Sequence, residues 1–119
     1  MFNKSSKTIK LNSYDIDAFY IEIDFRTALH YSIEHSSPNC IHLLTNFGGA
    51  NPNIIDSSLL TPLHYCVIHN CEESLQELLD VHDLQVDVID KYKRLPLHYA
   101  AATGNITILS ALIEVNHSN

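Results

Sequence analysis

From Thr27 onward the apolar residues fall into clusters with helical spacing, separated by short turn-forming strings. Leu75, Leu78 and Leu79 lie at i, i+3 and i+4, one face of a helix. Leu109, Leu112 and Ile113 repeat that spacing farther along the chain, and Cys40, Leu43 and Leu44 give it once more, slightly out of register. Ahead of each cluster stands a related segment: TALHYSIEHS from Thr27, TPLHYCVIHN from Thr61 and LPLHYAAATG from Leu95, at constant steps of 34. The strings Gly48-Gly49-Ala50-Asn51-Pro52-Asn53 and Leu84-Gln85-Val86-Asp87 follow the clusters. Short β-type pairs, Ile54-Ile55 and Val88-Ile89, then lead into Asp56 and Asp90. The pattern predicts a unit of helix, short turn, helix and extended loop, used three times. Neither helix of a unit is long enough to be stable alone. Each has to bury its apolar stripe on a neighbouring unit, which is the logic of a solenoid.

Local chemistry agrees with that reading. Thr27 and Thr61 precede their helices, where a hydroxyl caps orphan N–H groups. Pro62 and Pro96 fall in the first turn, where a missing N–H costs nothing. Ser37-Pro38 reads as a cap and first residue for the second helix of unit one. Asn70 and Gly104 tolerate the left-handed conformation that ends a helix.

The string D-x-x-x-x-T-P-L-H-Y-x-x-x-x-N/G, then x-x-L-L, then G-A-N-P-N, resembles the ankyrin repeat, with Asp56–Asn70 and Gly49–Asn53 its nearest matches. The resemblance covers about residues 22–119. It implies an all-α fold, an ankyrin-repeat solenoid of stacked helix-turn-helix units joined by β-hairpin-like loops. Its units are 22–55, 56–89 and an incomplete 90–119. Residues 1–21 form a polar N-terminal segment. The apolar stretch Ser13–Ile23 reads either as a degenerate half-repeat capping Leu29 or as a docked strand. Three departures stand out. Phe25, Leu59 and Lys93 occupy the place where the family usually has a hairpin glycine, which predicts distorted tips. Asp24 is only three residues before Thr27, which predicts a shortened first hairpin. Leu95 replaces a capping threonine, at a cost of about 1 kcal/mol. The chain stops soon after the last predicted helix without a polar capping unit, so it reads as a fragment of a longer array or as an end that a partner covers. The family can also be hydroxylated on a loop asparagine. Asn53 matches that position, with Pro52 departing from the usual valine.

Composition narrows the function. The 119 residues are 45% hydrophobic and 18% charged, enough to build a core. Fourteen acidic residues against seven basic ones give a net charge of −7, which argues against nucleic acid and against anionic membrane surfaces. No apolar run approaches a membrane span, and MFNKSSKTIKLNS lacks the apolar region of a signal peptide. Three cysteines, Cys40, Cys66 and Cys71, then read as reduced thiols in a cytoplasmic or nuclear protein. The charges are segregated: no Lys or Arg occurs between Thr27 and Asp90, whereas Lys91, Lys93 and Arg94 cluster. Such a surface suits a charged protein partner, or serves solubility alone.

Candidate chemistry dissolves in the repeat register. His64, Cys66, His69 and Cys71 have the residue types of a zinc site. However, His64 is the repeat histidine, Cys66 falls at a small core position, and His64 and His69 diverge around a helix. A reactive cysteine needs an electropositive pocket, which this stretch cannot offer. Glu72-Glu73 favours a helix N-terminus rather than forming an acid/base pair. No catalytic set, cofactor site or small-molecule site emerges, and the chain reads as non-enzymatic.

The resemblance implies a protein–protein interaction module, an adaptor or inhibitor, whose partner docks on the concave face of hairpin tips and inner helices. By register that face offers Arg26, Leu60, Ile68, His69, Lys91, Tyr92 and Arg94. Leu60, Ile68, Tyr92 and Arg94 are the expected anchors for an acidic or apolar segment. Lys91 and Lys93 would steer it. Leu59 and Leu60 have the competing role of packing between hairpins. Tyr31, Tyr65 and Tyr99 are expected to form a packed ladder. The alternative function is a structural spacer within a longer array, such as a scaffold or the cytosolic part of a channel.

Overall fold

The computed structural model describes residues 26–35 and 37–118. Among the described residues six helices follow in order: α1 (Ala28–Glu34), α2 (Pro38–Asn46), α3 (Pro62–Ile68), α4 (Glu72–Leu79), α5 (Pro96–Thr103) and α6 (Ile106–Ser118). Each odd helix packs on the even helix that follows it. The odd helices α1, α3 and α5 also pack in one row, and α2, α4 and α6 in a second. The result is a two-layer stack of three helix pairs. The described residues between the pairs form turns and extended backbone, with no strand among them.

The core lies between the two rows. Leu29, Ile33, Leu63, Cys66, Val67 and Ala100 come from the inner helices, and Ile41, Leu75, Leu78, Ile108 and Leu112 from the outer ones. Leu79 and Leu109 are half-buried and Ile113 is exposed. The first unit differs from the spacing read off the sequence. Cys40 and Leu43 are exposed, and Ile41 takes the core position. Ile41 and Leu44 stand one repeat before Leu75 and Leu78, so the true stripe runs one residue later than Cys40 and Leu43 suggest.

The helix ends follow the residue types. Thr27 Oγ1 accepts the N–H of His30, and Thr61 Oγ1 accepts that of His64 at 3.2 Å. Leu95 has no oxygen to offer from its side chain, so the His98 N–H turns to the Leu95 carbonyl at 3.0 Å. Ser37 does occupy the N-cap of α2, but its hydroxyl makes no capping bond. Asn70 (φ 56°) and Gly104 (φ 75°) take the left-handed conformation after α3 and at the end of α5.

The tips keep their shape despite lacking glycine. The Leu59 N–H reaches the Asp56 carbonyl at 3.0 Å, and the Lys93 N–H reaches the Asp90 carbonyl at 2.9 Å. Both turns demand a positive φ at the place of the missing glycine, 62° at Leu59 and 64° at Lys93. The departure is therefore absorbed as backbone strain. Phe25, and with it the shortened first hairpin, lies outside the described residues, as do Ser13–Ile23. An L-residue in this region costs roughly 1–2 kcal/mol. Lys93→Gly is expected to raise Tm by a few degrees, since relief of that strain exceeds the added unfolded-state entropy. At Gly48 a Cβ would meet the Leu44 carbonyl oxygen at 2.8 Å, so Gly48→Ala is expected to lower Tm. Thermal unfolding followed by circular dichroism tests both signs.

Candidate functional site

Each unit carries one histidine near the start of its inner helix. The backbone N–H of Thr61 donates to Nδ1 of His64 at 3.2 Å, which leaves the ring proton on Nε2. That Nε2 donates to the Arg94 carbonyl of the next tip at 3.0 Å. His30 does the same: its Nδ1 accepts the Thr27 N–H at 3.1 Å and its Nε2 faces the Leu60 carbonyl at 3.1 Å. Each ring thus ties its own helix start to the tip of the following unit. Burial lowers the His64 pKa. The Arg94 carbonyl and the charges of Asp90 and Asp56 oppose the shift without reversing it.

Each tip is built on a buried carboxylate. Asp56 Oδ1 accepts the N–H groups of Ser58 at 2.9 Å and Leu60 at 3.0 Å, and its Oδ2 accepts the Tyr65 hydroxyl. Asp90 repeats the set with Tyr92 and Arg94, both at 2.9 Å, and with Tyr99. Burial works against the Asp90 charge. The Tyr99 hydroxyl, the two N–H groups and His64 outweigh it and hold the carboxyl below its usual range. Burial and the hydrogen bond to Asp90 push the Tyr99 hydroxyl up. The Lys91 N–H donates to the Ser58 carbonyl at 3.1 Å and joins the second tip to the third.

On this frame four of the residues expected to bind a partner meet around one cleft. Arg26, Leu60, Ile68 and His69, with Glu34 and Tyr65, line a recess of about 220 Å³ between α1 and α3. Arg26 is not a free tip charge. It pairs with Glu34, its guanidinium lies 4.4 Å from the Tyr31 ring centre and 5.2 Å from that of Tyr65, and its side chain is only 17% exposed. Burial opposes its charge, but Glu34 and the two rings raise its pKa. Leu60 is half-buried against the core, while Leu59 beside it is exposed. The packing role foreseen for the pair therefore falls to Leu60 alone. Ile68 and His69 face solvent.

The other three, Lys91, Tyr92 and Arg94, sit on the third tip. Tyr92 is 62% exposed, and its ring is flanked by both cations, with Lys91 Nζ at 5.3 Å and Arg94 Cζ at 5.0 Å from its centre. Arg94 also covers Tyr99 at 5.6 Å. The ladder along the inner helices alternates residue types: the His30 ring lies tilted against that of Tyr65 at 4.9 Å, and His64 meets Tyr99 edge-on at 5.9 Å. The Asp–Tyr pairs escaped the sequence reading. Their signal was present, since both residues recur one repeat apart and stand at the same separation in units two and three.

The soft-ligand string is taken up by structure. His64 uses both ring nitrogens, burial and the neighbouring Cys71 push the Cys66 thiol up, and Cys71 Sγ donates to the Ile33 carbonyl at 3.5 Å. Asn53 clamps two loops, accepting the Gln85 N–H at 2.7 Å and donating to the Asp83 carbonyl at 2.9 Å. No group of three metal-ligating side chains gathers among the described residues, and none of their helices is long and apolar enough to cross a membrane.

A stack of short helix pairs, tied by repeated histidines and by aspartate-held tips, defines a repeat solenoid. The family model described as ankyrin repeats (3 copies) matches residues 2–90 and 60–119. The chain belongs to the ankyrin-repeat family, whose members serve generally as protein–protein interaction modules and are typically non-enzymatic. No curated protein matches the sequence.

The histidine and aspartate geometry sets a pH response. Protonation of His64 would put a second N–H against that of Thr61. Its folded pKa lies below 6.5, so stability is full above that value and falls as pH drops through it. Asp90, lowered from 3.8, adds a further loss at lower pH. Tm is expected to fall between about pH 7 and about pH 5, and His64→Gln to flatten that slope while lowering Tm at neutral pH. A wild-type Tm that stays level or rises over this range contradicts the assignment.

Proposed function

We propose that the chain binds a segment of a partner protein along its concave face, with the third tip as the recognition element. Tyr92 supports this reading most. It is a large aromatic held out in solvent between two cations, on a tip whose backbone is fixed by Asp90. Tyr and Arg are the residue types that most often carry binding energy. Lys91, Lys93 and Arg94 make this end of the face basic in a chain of net charge −7, so the segment is acidic near Tyr92. Ile68 and His69 at the cleft offer it an apolar contact. Arg26 acts from behind: its pair with Glu34 and its place between two tyrosines fix the cleft wall. The rigid tip avoids the ordering cost that a mobile loop would incur.

Selection from a random peptide display library tests this. The wild type is expected to enrich acidic peptides with an aliphatic or aromatic anchor, with affinities that weaken as salt rises. Tyr92→Ala is expected to weaken binding by about tenfold or more, about the 1.4 kcal/mol typical of a recognition anchor. Ile68→Asp and Lys91→Glu, both at exposed positions, are expected to weaken it with an unchanged circular dichroism spectrum. Enrichment of no peptide, or equal binding by wild type and variants, would overturn the reading.

A further inference from the structure

Cations are scarce in this chain and unevenly used. The described residues hold four Lys and Arg, of which Arg26 is taken by Glu34. The other three, Lys91, Lys93 and Arg94, stand on one turn and are all exposed. None of them forms an ion pair among the described residues, in a chain of net charge −7. The carboxylate at their base cannot serve them. Asp90 is buried, its Oδ1 accepts the Tyr92 and Arg94 N–H groups, and its Oδ2 accepts the Tyr99 hydroxyl. Two of the cations rest against the Tyr92 ring instead, Lys91 Nζ at 5.3 Å and Arg94 Cζ at 5.0 Å. A ring face attracts a cation without neutralising it. The tip therefore carries three uncompensated positive charges on a fixed base.

The backbone of the tip is already spent. The Lys91 N–H goes to the Ser58 carbonyl, the Lys93 N–H to the Asp90 carbonyl, and those of Tyr92 and Arg94 to Asp90 Oδ1. No main-chain nest is left, so an anion here is held by side chains alone. Their types set its shape. The Arg94 fork takes two oxygens, and each lysine is a point charge that takes one. A carboxylate has two oxygens and a single charge. A phosphate monoester has three terminal oxygens and about −1.5 to −2 charges at neutral pH, which matches the fork and the lysines together. The positive field is also short. No Lys or Arg occurs between Thr27 and Asp90 or from Leu95 to Asn119. The second tip, whose Ser58 carbonyl meets the Lys91 N–H, holds Asp56 and no cation. A nucleic acid or an anionic membrane presents many phosphates side by side and would set its next ones against an acidic unit. A single phosphate avoids that.

Given that the third tip recognises an acidic segment, as proposed above, we propose that its acidic element is a phosphorylated side chain of the partner protein, held by Arg94, Lys91 and Lys93. The tip then reads a modification state as well as a sequence. Tyr92 keeps Lys91 and Arg94 close to one another before the phosphate arrives, which lessens the cost of ordering two long side chains.

Binding of the full chain to degenerate peptide pools tests the proposal. The pools share one fixed central residue: phosphoserine, phosphotyrosine, glutamate or alanine. A phosphorylated pool is expected to bind about tenfold or more tightly than the glutamate pool, and the alanine pool most weakly. Lys91→Gln/Lys93→Gln/Arg94→Gln is expected to abolish that preference. Arg94→Lys keeps the charge but loses the fork, and is expected to reduce it in part. Circular dichroism checks folding, and Lys91→Gln and Arg94→Lys singly carry the test if the triple variant unfolds. Equal binding of the glutamate and phosphorylated pools would overturn the phosphate and leave the acidic-segment reading standing. Binding of no pool would overturn both. A phosphate preference that survives the triple substitution would overturn the assignment to this tip. So would oligothymidylate or phosphatidylserine vesicles bound as tightly as the phosphorylated pools, since the ligand would then be a polyanion.

Discussion

The histidine at the third position of the first two inner helices, His30 and His64, connects everything else. Its Nδ1 takes the N–H of its own helix start, and that acceptance forces the ring proton onto Nε2, where it reaches the next unit. One tautomer thus links a local cap to a contact between units. An unpaired buried donor or acceptor costs about 1–3 kcal/mol, so neither half of the arrangement is easily given up. The tip that receives the bond is itself shaped by Asp56 or Asp90. Cap, tip and stacking are therefore consequences of one another, and the constant length of the repeat is what keeps them in phase.

Most of the fold was legible in the sequence because it is repeated. A single Leu-His-Tyr would say little, but three at one period set the helices, their caps and the order of the layers. The misreadings arose where repetition was weakest. In unit one, Cys40 and Leu43 have helical spacing and suitable residue types, and only the comparison with Leu75 and Leu78 shows that Ile41 carries the core. The absence of tip glycines suggested distortion. Spacing alone could not show that hydrogen bonds to Asp56 and Asp90 hold Leu59 and Lys93 in a left-handed conformation.

The candidate site was legible by register but not by environment. Register placed Arg26, Leu60, Ile68 and His69 on one face, and they do meet around one cleft. It could not distinguish a displayed cation from one that has found an anion and two rings. Arg26 and Arg94 occupy equivalent positions. Arg26 is drawn between Tyr31 and Tyr65 by Glu34, whereas Arg94 shares an exposed tip with Tyr92. The deciding residues, Glu34 and Tyr65, lie one helix and one whole unit away from Arg26, beyond any local motif.

The bonds between units also share a length along the chain. His30 to Leu60 and His64 to Arg94 span 30 residues, Asn53 to Gln85 spans 32, and Asn105 to Asn70 spans 35. Closing each such loop carries nearly the same entropy, because that cost grows only with the logarithm of loop length. Adding units would leave the typical contact no more distant in sequence, so folding speed in such a chain is set by one pair of neighbours and not by total size. Order can begin at whichever junction forms first and spread both ways. Melting runs in the opposite sense: loss of one junction weakens the units on both sides of it, so disorder spreads from neighbour to neighbour.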